Sequence, residues 1–296
     1  MHLVTLRDPS SSVAAQFVPD AGMIGTSLTD SGVELLGQRR GLDAYLTAGK
    51  TMGIPILYPW ANRLGGNTYT AENVTVTLEP GENGVRADPN GLPIHGTLAA
   101  YPGWRVVAES ANELTAEVDF AGDPQLLASF PYPHVLRVSV GLADRALTVR
   151  TTITATGETA VPLCFGFHPY LRLPDVARGE WIVETPPLRH LSLDGRGLPT
   201  GASQPQPTKE EHLGDKAFDD AYDQVNDGAV FAVSGGGRRL EVHFERGYSA
   251  TQIFAPPAED VVCFEPMTAP TDALSRGDYP AARPGEPAVA VFSIRV

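Results

Sequence analysis

The stretch HVLRVSVGLADRALTVRTTI, residues 134–153, carries the clearest structural signal in the chain. From Leu136 to Leu142 every second residue is hydrophobic, and a similar alternation runs from Leu147 through Thr151 to Ile153. The segment Ala143-Asp144-Arg145 interrupts it. A period of two on both sides of a short break predicts two antiparallel strands with one buried face.

Outward from this hairpin, strand patterns fill most of the chain. Residues 230–244 predict a second hairpin, because its run Ser234-Gly235-Gly236-Gly237 supplies the positive φ angles of a tight turn. Further strands are predicted at Val74–Leu78, Trp104–Glu109, Leu114–Phe120, Trp181–Glu184, Val261–Glu265 and Val289–Val296. Only Leu42–Ala48 indicates a helical turn, and Gly195–Pro207 is predicted to be a long surface loop. We therefore expect an all-β fold, a large antiparallel β-sandwich or barrel, with residues 1–296 in a single domain.

The composition argues against three other classes of protein. With 30 glycines and 26 prolines in 296 residues, helix breakers recur too often for a bundle of long helices. The 35 acidic and 22 basic residues give a formal net charge of −13, whereas a nucleic-acid-binding protein needs a basic surface. Hydrophobic residues make up 42% of the chain, which is ample for a core and does not fit disorder.

No segment indicates export or membrane insertion. Residues 1–7 lack the basic start and apolar run of a signal peptide, and no apolar run approaches the ~18 residues of a membrane helix. Cys164 and Cys263 lie far apart in apolar contexts, which favours buried free thiols and gives no zinc-site spacing. We expect a cytoplasmic protein, monomeric or weakly homodimeric, with neither nucleic acid nor membrane as a partner.

Two loops contain side chains suited to binding a polar ligand. In residues 53–64, GIPILYPWANRL, the face of Trp60 can stack on the C–H face of a sugar, and Arg63 can donate to hydroxyls. The alternative is a packed loop in which Arg63 caps backbone carbonyls. In residues 90–96, NGLPIHG, His95 precedes Gly96, whose missing side chain lets a ligand or backbone approach closely. The alternative for His95 is a structural hydrogen bond.

Two further segments are suited to acid–base chemistry. His168 in FGFHPYL, residues 165–171, is flanked by aromatic residues and followed by Pro169, which suits an oriented proton donor. Glu265 ends an apolar strand, where a carboxylate is costly to bury without a function, although a strand end facing water also fits. No known metal-binding spacing is matched by the acidic cluster His212, Asp215, Asp219, Asp220 and Asp223, so no metal is predicted.

Taken in this order, these segments resemble the aldose 1-epimerase (galactose mutarotase-like) family. The matching segments are PWANR at 59–63, IHG at 94–96, GFHPY at 166–170, FDD at 218–220, FEPMT at 264–268 and PTDA at 270–273. The resemblance spans nearly the whole chain. It implies a large antiparallel β-sandwich, the galactose mutarotase-like supersandwich, whose concave face binds a pyranose.

The resemblance also implies which residues act. His168 and Glu265 would interconvert the α and β anomers of a free sugar, while Arg63 and His95 would bind it. One of the adjacent Asp219 and Asp220 would hold a sugar hydroxyl, and the register between them stays open. Galactose specificity is not carried over, because the residues that follow the central histidine differ from those of many members.

The chemistry requires a proton to leave O1 and another to reach the ring oxygen O5. With its ordinary pKa near 4.3, Glu265 is expected to be ionised and to accept the O1 proton. A nearby carboxylate would keep His168 protonated as the donor. Since nothing is oxidised or transferred, no cofactor is expected.

Three alternatives remain at this stage. A hexose-6-phosphate 1-epimerase of the same fold would need basic residues at the pocket, for which Arg63, Arg172, Arg178 and Arg189 are available, although the net charge favours an uncharged sugar. A non-catalytic carbohydrate-binding protein would not need both His168 and Glu265. A glycosidase would need a second carboxylate beside Glu265.

Overall fold

Strands dominate the computed structural model, which describes residues 1–296. In chain order they are β1 Val4–Arg7, β2 Val13–Val18, β3 Ile24–Asp30, β4 Val33–Glu34, β5 Ile56–Leu57, β6 Thr68–Ala71, β7 Val74–Thr77, β8 Arg105–Glu109, β9 Glu113–Asp119, β10 His134–Ala143, β11 Ala146–Ala155, β12 Val161–Pro162, β13 Gly166–Phe167, β14 Tyr170–Leu171, β15 Ile182–Thr185, β16 Leu188–Leu193, β17 Pro199–Gln206, β18 Lys209–His212, β19 Phe218–Asp223, β20 Ala229–Gly235, β21 Arg238–Arg246, β22 Ala250–Ala255, β23 Val262–Met267, β24 Ala281–Ala282 and β25 Ala288–Arg295. The α-helices are α1 Gly41–Ala48, α2 Pro124–Ser129 and α3 Ala273–Arg276, and 3-10 helices lie at Pro19–Ala21, Phe120–Gly122 and Arg178–Glu180.

Two large antiparallel sheets form the body of the fold. One has nine strands in the order β18-β15-β20-β21-β25-β11-β10-β9-β8. The other has eight strands, in the order β17-β16-β19-β22-β23-β13-β5, with β14 also paired to β23. A third sheet, β1-β2-β3-β4, has four strands. The prediction of an all-β antiparallel fold is confirmed.

Both predicted hairpins are present. Strands β10 and β11 pair from His134↔Ala155 to Ala143↔Ala146, and the two residues between them, Asp144 and Arg145, have φ angles of 50° and 61°. Strands β20 and β21 pair in the same way, with Gly236 and Gly237 at φ angles of 58° and 79°. Two consecutive positive φ angles are typical of the tight turns whose twist matches a hairpin.

The core lies between the two large sheets. One cluster of 65 buried hydrophobic residues draws on both. Across the interface, the ring centroids of Phe231 on β20 and Phe264 on β23 are 5.5 Å apart, and those of Phe167 on β13 and Phe292 on β25 are 5.0 Å apart. These contacts between facing sheets make the fold a sandwich, as predicted.

One buried histidine has a structural role in this core. His134 donates a hydrogen bond from Nδ1 to the carbonyl of Tyr132 at 2.5 Å, and its Nε2 accepts one from the hydroxyl of Tyr58 at 2.6 Å. Burial lowers its pKa to about 4. His134 is therefore neutral in the folded protein at pH 7.

The prediction of a long loop at Gly195–Pro207 is wrong. Residues 199–206 form β17, the edge strand of the eight-stranded sheet, which pairs with β16 from Leu188↔Gln206 to Leu193↔Pro199. Almost all of its side chains are exposed, so the segment has no hydrophobic alternation to reveal it. An edge strand also tolerates proline, because one side of it needs no ladder hydrogen bonds.

Two further local predictions agree with the structure. The helical turn predicted at Leu42–Ala48 is α1, and both cysteines are buried and free of disulfides. No helix combines the length and the hydropathy required to cross a membrane.

Candidate active site

His168 and Glu265 are brought together by neighbouring strands. On either side of His168, Gly166 pairs with Met267 and Tyr170 pairs with Cys263, so the chain between β13 and β14 runs alongside β23. The Nε2 atom of His168 lies 3.2 Å from Oε1 of Glu265, and both side chains are almost fully buried. Two residues separated by almost a hundred positions thus form one buried acid–base pair.

The alternation of the eight-stranded sheet places Asp219 and Gln252 on the same face as Glu265. Gln252 on β22 is directly opposite Glu265, and its Nε2 donates a hydrogen bond to Oδ1 of Asp219 on β19 at 2.7 Å. Asp220 faces the other way, with Oδ1 at 3.3 Å from Nε2 of His190. Because successive strand residues point to opposite faces, only Asp219 of the two acidic residues shares the face of the pair.

Arg63 and His95 approach the pair from two loops. Arg63 donates from Nε to Oδ2 of Asp88 at 2.8 Å and from Nη1 to Oδ1 of Asn62 at 2.9 Å. A β-bridge between Arg63 and Ile94 holds the loops together, so that the ring centroid of His95 lies 5.9 Å from that of His168. Arg63 is therefore held by side chains rather than capping backbone carbonyls.

Gly96 is required by the backbone. A Cβ atom added to Gly96 would lie 2.0 Å from the carbonyl oxygen of Tyr58, and its φ angle is 66°. Close approach of the chain, rather than of a ligand, explains this glycine. A cavity of about 610 Å³ adjoins the loop, with walls that include Thr51, Ile56 and His95.

Trp60 does not have the position predicted for it. Its side chain is 1% exposed and packs within the main hydrophobic core. A ring that is 1% exposed has no surface left on which a sugar could stack. The alternative of a packed loop therefore describes Trp60. The sequence shows only that the residue is aromatic, which fits a packed ring and a sugar-binding ring equally well.

The charge state of the pair also differs from the sequence-based expectation. Burial lowers the pKa of His168 well below 6.5, and the nearby His95 and Arg39 lower it further. Burial raises the pKa of Glu265 well above 4.5, with Asp219 adding to the rise and Arg63 opposing it. Both shifts favour a neutral imidazole beside a protonated carboxyl, because a pair removed from water loses the hydration of its charges.

His95 is neutral as well. Burial lowers its pKa to about 3, and the positive charges of Arg63 and Arg86 act in the same direction. A neutral imidazole has one N–H donor and one acceptor nitrogen. His95 can therefore both donate a hydrogen bond to a ligand and accept one from it.

Several buried polar atoms of the site have no hydrogen-bond partner in the protein. They are Nδ1 of His168, Oε2 of Glu265, Oε1 of Gln252 and Nδ1 of His95. Buried polar atoms are almost always hydrogen-bonded, so four such atoms around one pair indicate a site for a polar ligand. No group of three or more His, Cys, Asp or Glu side chains is arranged to hold a metal ion.

Sequence reasoning missed Gln252 and Arg39. Gln252 interrupts the run ATQIFA of β22, and this single amide inside a buried strand is the signal that could have revealed it. Arg39, which contacts Tyr170 beside His168, lies in no recognisable motif. Its contacts are with Tyr170 and Glu259, which follow it in the chain by 131 and 220 positions.

The large antiparallel sandwich, with the buried contact between His168 and Glu265 on one face of its eight-stranded sheet, has the galactose mutarotase-like fold. The family comparison agrees with this class. The sequence model of the aldose 1-epimerase family matches residues 2–295, and the chain belongs to that family.

Relatives and solved structures align over nearly the full chain. The Escherichia coli K12 protein YphB is 25% identical over 307 aligned positions, which cover 93% of this chain and 96% of that one. The Slr1438 protein of Synechocystis sp. PCC 6803 superposes with a TM-score of 0.80 at 21% identity, covering 99% and 95% of the two chains. The galactose mutarotase related enzyme of Lactobacillus acidophilus superposes with a TM-score of 0.81 at 16% identity, covering 99% and 97%. At these identities the two structures establish the fold.

Proposed function

We propose that the protein is an aldose 1-epimerase, which interconverts the α and β anomers of a free, uncharged aldose. The observation that carries this proposal is the buried contact of 3.2 Å between His168 Nε2 and Glu265 Oε1. Opening a hemiacetal requires one group that removes the O1 proton and another that protonates O5. Both oxygens are bonded to the same carbon, C1, so the two groups must lie close together.

The pair supplies one transferable proton. When His168 is neutral and Glu265 is protonated, the proton count equals that of a protonated histidine beside a carboxylate. Sugar hydroxyls that donate to Glu265 favour the second form, because hydrogen bonds stabilise the charged carboxylate. We infer that the proton passes to His168 when the sugar binds, which leaves Glu265 as the base for O1 and His168 as the acid for O5.

Ring opening then completes the exchange. As O1 loses its proton and O5 gains one, the C1–O5 bond breaks and C1 becomes an aldehyde carbon. Rotation about C1–C2 presents the other face of the carbonyl to the O5 hydroxyl. Reversal of the two proton transfers closes the ring in the opposite anomer and restores the pair.

The neighbouring residues are proposed to bind the sugar. Arg63 donates to hydroxyls, neutral His95 hydrogen-bonds near the ring oxygen, and Asp219 accepts from a hydroxyl while Gln252 fixes its carboxylate. Of the adjacent acidic residues, Asp219 is the proposed ligand, because it shares the face of Glu265.

Most of the arginines that a phosphorylated substrate would need have partners elsewhere. Arg178 donates to the backbone carbonyls of Lys216 and Ala255, and Arg189 donates from Nε to Asp223 at 2.6 Å. The carboxylate of Asp88, 2.8 Å from Nε of Arg63, offsets the charge of that arginine, although the guanidinium can still donate to uncharged hydroxyls. These contacts support a neutral sugar over a hexose 6-phosphate.

The test is NMR exchange between the anomers of a panel of free aldoses and of their 6-phosphates, measured with the wild-type protein, Glu265→Gln and His168→Asn. We expect the wild type to accelerate exchange and each variant to lose about 10²–10⁴-fold. A matched pair on β21 provides the control, because His243 Nε2 lies 2.7 Å from Glu241 Oε2 outside the site. Glu241→Gln and His243→Asn should keep full activity. Binding without acceleration would indicate a non-catalytic carbohydrate-binding protein, and acceleration only of phosphorylated sugars would indicate the sugar-phosphate alternative.

A further inference from the structure

Arg39 contacts the tyrosine that lies against His168. Its Nη1 donates a hydrogen bond to the hydroxyl of Tyr170 at 3.0 Å, and its guanidinium carbon lies 4.8 Å from the centroid of that ring. Glu259 accepts from Nε at 2.6 Å and from Nη2 at 2.8 Å. Since all three guanidinium nitrogens have an acceptor, the orientation of Arg39 is fixed.

Tyr170 in turn fixes His168. The two rings are nearly parallel, at 9°, with centroids 4.2 Å apart, and the tyrosine oxygen lies 3.1 Å from Nε2 of His168. The same oxygen lies 2.6 Å from Oγ1 of Thr51. Because Arg39 can only donate, the tyrosine oxygen accepts its hydrogen bond, and the single hydroxyl proton can be donated to either Thr51 or His168.

We propose that Arg39 and Glu259 form a positioning pair for His168. Glu259 orients Arg39, Arg39 holds Tyr170, and Tyr170 sets the plane in which the imidazole meets Glu265. The kinetic part of this inference rests on the proposed function, whereas the placement of the His168 ring does not. Neither residue touches the sugar in this account, so the pair acts on the rate of proton transfer and not on substrate binding.

The positioning pair also acts on the charge around His168. The titratable and charged groups near the imidazole are Glu265, Tyr170, His95 and Arg39, beyond which lie Asp219 and Arg63 beside Glu265, and Cys263 beside Tyr170. The positive charge of Arg39 lowers the pKa of His168, and the carboxylate of Glu259 partly neutralises that charge. Removing the charge of Arg39 should therefore raise the pKa of His168, whereas removing the charge of Glu259 should lower it.

The kinetic test compares Arg39→Gln, Arg39→Lys and Glu259→Gln. Arg39→Gln should lower kcat about 10-fold with KM nearly unchanged, and should move the acid limb of the pH profile up by about 0.5–1 unit. Glu259→Gln should move that limb down, and Arg39→Lys should leave its position unchanged while kcat falls. Arg40→Gln removes the same charge one residue away and should leave kcat and KM at the wild-type values.

A second measurement does not depend on catalysis. At pH 7 the stacked ring of Tyr170 should shift the proton resonances of His168 upfield, with assignment by His168→Asn. Arg39→Gln should reduce this shift, whereas Arg40→Gln should preserve it. If the wild type accelerates no aldose, the proposed function fails and the resonances alone decide the positioning role. The positioning role is overturned if the His168 resonances and the pH profile change no more in Arg39→Gln and Glu259→Gln than in Arg40→Gln. It is also overturned if Arg39→Gln and Glu259→Gln move the acid limb of the pH profile in the same direction.

Discussion

Replacing Gly166 with alanine should force apart β13, which leads directly into His168, and β23, which carries Glu265. Gly166 on β13 pairs with Leu57 on one side and Met267 on the other. An added Cβ would lie 2.6 Å from the carbonyl oxygen of Pro266 and 3.1 Å from Cγ of Met267. To reach an ordinary contact of 3.4 Å, β13 and β23 must separate by about 0.8 Å.

The expected magnitudes follow from this displacement. Overpacking of this kind should lower the free energy of unfolding by about 1–3 kcal/mol. Glu265 immediately precedes Pro266, and His168 lies two residues after Gly166, so the shift changes the distance between them directly. A misplacement of this size near reacting groups should lower kcat about 10- to 100-fold.

Two assays check this prediction. Urea denaturation measures the free energy of unfolding, and NMR exchange measures the anomerisation rate under the proposed function. Gly141→Ala in β10 is the matched control, because its added Cβ would have no atom within 4 Å. The control should change stability by less than about 1 kcal/mol. If Gly166→Ala is as stable and as active as Gly141→Ala, the packing explanation is refuted.

Three further predictions concern charge. The free energy of unfolding should fall as the pH drops from 6.5 to 4, because His134 binds a proton in the unfolded chain but stays neutral where it is buried in the folded protein. This residue alone should account for a loss of about 3 kcal/mol, which urea titrations across that pH range would measure. The ratio kcat/KM should fall on the acid side as His168 becomes protonated, and on the alkaline side as Glu265 loses its proton, with the plateau between these pKa values visible in a pH–rate profile. Asp219→Asn should raise KM about 10-fold in steady-state exchange assays, whereas Asp220→Asn should leave it within 2-fold, since Asp220 faces His190.

The sequence predicted the fold class well, because the evidence for strands is local. The alternation in residues 134–153 depends only on residues two positions apart. The positive φ angles of Gly236 and Gly237 could be predicted because glycine is the residue that most readily adopts them. The same reasoning failed at β17, where exposed side chains on an edge strand carry no alternation. It also assigned Trp60 to a sugar, since an aromatic ring in a loop looks the same whether it packs inward or faces a ligand.

The sequence by itself therefore determined an antiparallel β fold and the identity of His168, Glu265, Arg63 and His95 as candidates. Only the tertiary structure decided that His168 and Glu265 lie 3.2 Å apart and that Asp219, not Asp220, faces them. It alone also decided the charge state of the pair and the contact of Arg39 with Tyr170. The physical reason is that strand alternation is a property of adjacent residues, whereas desolvation and cross-strand register arise from residues distant along the chain.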